Sequence, residues 1–138
     1  MSDRSEYSDE YEHVHLWQGA VLRAAKGARG QAMLTDLIEA LDELPVHELV
    51  AGVFDDRDGC CAFGALARHR GVTLDDLDPE AEGLRDDVAT RFNIAPSLAA
   101  DIMARNDSHG DLFGGGGETG AARWARIRAW AVSKLADT

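Results

Sequence analysis

The stretch Gln31–Leu44, QAMLTDLIEALDEL, limits the fold more than any other part of this chain. Leu34, Leu37, Ile38 and Leu41 recur at i, i+3, i+4 and i+7, while Asp36, Glu39, Asp42 and Glu43 point elsewhere. A strand alternates every two residues and would scatter those side chains over both faces. A helix with 3.6 residues per turn gathers them on one. The apolar stripe that results needs covering, so further elements must pack against it. Pro45 ends the run, because it lacks a donor and clashes with the preceding turn.

Weaker patterns surround this helix. Val14, Leu16, Trp17, Val21 and Leu22 suit a short amphipathic helix ended by Gly27 and Gly30. Leu49, Val50, Val53 and Phe54 suggest a strand over 48–54, followed by a turn at Asp55–Gly59 and a returning arm at Cys60–Phe63. Helices are expected at Gly64–Arg70, Ala81–Phe92, Pro96–Arg105 and Thr119–Leu135, the last burying Trp124, Ile127, Ala131 and Leu135. The expected fold is mainly α: one compact helical domain over 13–138 with at most one small β-hairpin. Residues 1–12, with five acids, read as a mobile acidic tail, and 108–118 as a Gly-rich loop.

Length and charge narrow the function. A chain of 138 residues is one domain that buries roughly 68% of its unfolded surface. A net charge of −11 opposes general affinity for nucleic acid or an anionic membrane and suits a protein partner with a basic surface. No apolar run reaches membrane-spanning length, and no leader pattern opens the chain, so a cytoplasmic location is expected. Two adjacent cysteines cannot build a disulfide framework.

Those cysteines lie in DGCCAFGALARHRG. A thiol at a helix start can be acidified, but His69 sits too far along the following helix to act as its base. Small-residue packing explains Cys60 and Cys61 better. His13, His15, Cys60 and Cys61 match no paired zinc spacing, and neither a metal nor another cofactor is expected. The segments around NIAP imitate a helix-turn-helix, yet the second helix offers only Ser97, Asp101 and Arg105. Asn106, Asp107, Glu118, Thr119 and Arg123 could line a small polar pocket beside Trp124, or act only as helix caps. Acids cluster in two segments, 39–58 and 75–87, with seven each against a single Arg in either. Asp75, Asp76 and Asp78 are the candidate contacts in the second. Pairing of these acids within the fold is the competing reading.

Taken together, RGQAML, CAFGALARHRG, FNIA, ND and ET followed by ARW, RIRAW resemble a family of small uncharacterised proteins of bacteria and their phages or prophages. The resemblance runs from Lys26 to Leu135. It matches Cys61 to the family's usual single cysteine, leaves Cys60 as an extra, and puts Gly120 where proline is common. It implies a phage or prophage origin and brings no activity. The expectation is therefore a protein-binding module that interferes with a host protein, with no catalytic residue assigned. A ligand-binding protein or enzyme using Asn106–Asp107 and Glu118–Trp124, and a DNA-binding regulator, are the alternatives.

Overall fold

The computed structural model describes residues 5–56, 59–78, 81–108 and 118–135. They form a mainly helical domain in the order α1 (Ser5–Lys26), α2 (Ala28–Glu43), β1 (Asp55–Asp56), β2 (Gly59–Cys60), α3 (Ala62–Arg70), α4 (Leu84–Phe92), α5 (Pro96–Ser108) and α6 (Gly120–Lys134). Residues 1–4 of the expected tail and nearly all of the Gly-rich segment lie outside the described residues.

The central helix is α2, packed against α1, α3 and α6. Met33, Leu34, Leu37 and Leu41 are sealed within the core, and Ile38 is half-buried at its edge. Phe63 and Leu66 of α3, Val88 and Phe92 of α4, Leu98 and Ile102 of α5 and Ile127 of α6 complete the interior. Phe63 and Phe92 stack with ring centroids 5.1 Å apart. Leu44 is extended before Pro45, as the proline ring requires of its predecessor.

Three boundaries differ from the sequence reading, each for a local reason. First, α1 begins at Ser5 rather than near Val14, taking in most of residues 1–12. Gly30 does not end it: Gly30 lies inside α2, where a Cβ would strike the carbonyl of Ala24. Second, residues 48–54 form no strand. The hairpin sits later, with Asp55 opposite Cys60 and Asp56 opposite Gly59. The earlier segment spends its hydrogen bonds elsewhere, and Gly52 bends it with φ near 84°. Third, Ala62 and Phe63 begin α3 instead of extending the hairpin, and α4 starts only after Gly83, at φ 79°. The end of α3 matches expectation: Gly71 is left-handed and Val72 N–H bonds the Ala67 carbonyl.

Candidate functional site

Where irregular backbone is buried, its N–H and C=O groups must be paired. The bent segment 49–54, buried at Leu49 and exposed over 51–53, meets this partly through side chains from distant helices. Gly120 O accepts from Leu49 N, and Arg123 Nη1 donates to Leu49 O at 3.2 Å. Cys60 O accepts from Val50 N, while Asn106 Nδ2 donates to Val50 O at 2.9 Å. Asp107 Oδ1 accepts from both Gly52 N and Asn106 Nδ2. Asn106 Oδ1 also accepts from Ala62 N at 3.0 Å, at the start of α3, where the N-cap Cys61 makes no side-chain cap hydrogen bond. Arg123 Nε returns to Asn106 O at 2.7 Å.

The structure thus brings together Asn106, Asp107, Glu118 and Arg123, as the sequence suggested. Glu118 holds Arg126 in a two-point contact at 2.8 Å and faces Arg123 at 3.6 Å. Thr119 caps α6 by accepting from Ala122 N at 3.0 Å. Trp124 stands apart. It is half-buried, donates from Nε1 to Leu41 O at 2.9 Å and stacks on His47 at 4.1 Å. The buried stripe of α6 is Arg123, Ile127 and Ala131, not the Trp124 face. The spacing i, i+4, i+8 contained that stripe, but a basic residue at its head hid it.

This arrangement holds a loop; it does not present reactive groups. The cavity beside it, lined by Cys61, Asn106 and Asp107 among others, is about 60 Å³. Ligand pockets begin at roughly 300 Å³. Burial pushes the Cys61 thiol up to about 12 and raises that of Cys60 too. Both cysteines are free and buried. Native Cys61 is therefore expected to resist iodoacetamide at neutral pH and to react only after unfolding. Replacing it with Ser should change stability by less than about 1 kcal/mol, because Cys61 is the N-cap of α3 and a hydroxyl there meets the Phe63 and Gly64 N–H groups. Rapid native labelling would show that the site opens.

Several acids of the first charged segment, and Asp76 of the second, are matched across the fold. Asp42 pairs with Arg128, Asp55 with Arg68 and Asp76 with Arg91, each at two points. Arg128 holds the Asp42 carboxyl below its ordinary range, and Arg91 does the same for Asp76. Asp76 is thus engaged within the fold, while exposed Asp75 forms no ion pair among the described residues. On α5, Leu98, Ala99, Asp101 and Ile102 are buried. Asp101 takes Arg105 Nε at 2.7 Å. One face of α5 thus packs into the core, and its other side carries half-buried Ser97 and exposed Arg105.

Asp36, Glu39 and His69 bring one donor atom each within 4.8 Å of one another. Their partners are already present: Arg70 Nε lies 2.8 Å from Asp36, and His69 Nδ1 lies 2.9 Å from Glu43. Glu43 raises the His69 pKa above 6.5, with help from Asp36 and Glu39. A raised folded value stabilises the fold fully below the unfolded pKa and loses that effect as pH rises through the folded one. The stability difference between the wild type and His69→Gln should therefore be largest near about pH 6 and shrink by about pH 9. Thermal melts at several pH values check this; a pH-independent difference would refute the ion-pair origin.

Between the hairpin and the connector after α3 lies an open groove of about 410 Å³. Ala67, Val72 and Leu74 supply apolar surface, Val53 and Phe54 one side, and Asp55, Arg68 and Asp75 the charges. Its size falls within the range of binding sites. Sequence reading missed it, since its walls come from segments joined only by the fold. No family model matches the chain, and neither curated proteins nor solved structures gave a match. Among the described residues, no helix is long and apolar enough to cross a membrane.

Proposed function

We propose that this chain is a small acidic protein-binding module of phage or prophage type, acting in the cytoplasm on a host protein with a basic surface. One observation carries the reading: Asp75, exposed and without an ion pair among the described residues, stands at a groove large enough to receive a partner. The remaining acids add long-range attraction, because a net charge of −11 persists whatever the local pairing. The polar cluster of Asn106, Asp107, Glu118 and Arg123 serves as scaffold in this account, since its hydrogen bonds go largely to backbone groups and to one another.

The test is capture from a bacterial lysate on immobilised protein, followed by elution in rising salt. A partner recruited by charge should elute early, since exposed charges are screened within ~8 Å at physiological ionic strength. Asp75→Lys should weaken capture while leaving the melting temperature unchanged. A partner that survives high salt and ignores this reversal would defeat the reading.

A further inference from the structure

The groove beside Asp75 is built as well as open. Gly71 turns the chain at the end of α3, and Val72 is tied back to Ala67 O. Arg91, reaching from α4, donates to Thr73 O and grips the Asp76 carboxylate at two points. Leu77 N bonds Leu74 O. The connector is therefore held in place before any ligand arrives, which reduces the ordering cost of binding. Opposite it, Gly64 lets the Phe54 carbonyl lie directly on α3, where a Cβ could not fit.

The charges select the occupant. Arg68 reaches both Asp55 oxygens at 2.7 Å, so those two charges cancel at the rim. Asp76 is likewise matched by Arg91. Among the described residues, what remains on the groove is Asp75, beside an apolar floor at Ala67, Val72 and Leu74. An anionic ligand would meet a negative site in a negative protein. A cationic one gains an attraction that a purely apolar ligand lacks, because Asp75 is exposed with no ion pair among the described residues.

Resting on the protein-binding reading, we propose that this groove docks a short peptide segment of the partner. One aliphatic side chain of that segment sits on the Ala67–Val72–Leu74 floor, and an adjacent Lys or Arg meets Asp75. Arg91 is a positioning residue: it acts through the connector and does not touch the peptide.

The experiment is an amide NMR titration of the full chain with acetyl-Arg-Ile-Arg-amide. Shifts should concentrate at 53–55, 67–68 and 72–77. Acetyl-Arg-Gly-Arg-amide should bind at least about tenfold more weakly, because it loses a buried aliphatic side chain. Acetyl-Glu-Ile-Glu-amide should not bind, and Asp75→Lys should weaken the Arg-Ile-Arg peptide at least about fivefold while leaving the melting temperature unchanged. Three results would overturn the proposal: equal binding of the Ile and Gly peptides, equal binding of the Arg and Glu peptides, or shifts confined to other surfaces. Shifts elsewhere on the acidic surface, together with salt-sensitive lysate capture, would remove the groove and leave the broader reading standing. Loss of salt-sensitive capture would remove that reading itself.

Discussion

Asn106→Ala should lower the unfolding free energy by about 3–5 kcal/mol, read as a shift in urea midpoint at unchanged slope. Asn106 is 2% exposed, and its amide does two jobs at once. Its oxygen caps α3 at Ala62 N, and its nitrogen satisfies Val50 O. Truncation leaves the buried Ala62 N–H and the part-buried Val50 carbonyl without their partner, at roughly 1–3 kcal/mol each, the first being the lost helix cap. Asn106→Asp should recover only part of this, because it keeps the acceptor for Ala62 N but loses the donor to Val50 and sets a second carboxylate beside Asp107. Equal losses for the two variants would mean that the retained cap is worth no more than the added carboxylate repulsion costs.

The second large effect is expected at Gly64. A methyl group there would overlap the Phe54 carbonyl and lie 2.8 Å from Cys60 Cβ. Overpacking usually costs ~1–3 kcal/mol, and the upper end applies here because the first obstacle is backbone and cannot rotate away. Gly64→Ala should therefore cost about 3 kcal/mol and move the hairpin off α3. Gly71→Ala is the useful comparison: nothing crowds that position, so only the left-handed φ of 69° resists it, and about 1 kcal/mol is expected. If Gly64→Ala proved as mild as Gly71→Ala, the hairpin would have room that the close approach denies.

The fold was legible where a pattern is local. The leucine spacing of α2, the stop at Pro45 and the glycine at the end of α3 each follow from geometry within a few residues. Gly30 was misread because a helix-ending glycine and one that lets two backbones meet look alike in sequence. The strand expected over 48–54 failed because strand-forming side chains do not dictate where the backbone finds its partners. At the candidate site, the grouping of Asn106 and Asp107 with Glu118 and Arg123 was visible, but the targets of Asn106 and Arg123, 44 to 74 residues away, were not. Charge behaved in the same way: the acidic segments were plain, while the matching of Asp42 to Arg128, 86 residues on, needed the assembled helices.

The long reach of Arg123 also sets a timetable for synthesis. Leu49 O receives its guanidinium donor from a residue made 74 positions later, and Leu49 N waits similarly for Gly120 O. At ~5–20 residues per second, a nascent chain carries that loop for roughly 4–15 s before α6 emerges. Throughout the interval α2 lacks its α6 cover and the loop relies on water for those bonds. The ribosome-bound intermediate is thus an unsealed helical assembly, and arrival of α6 closes it.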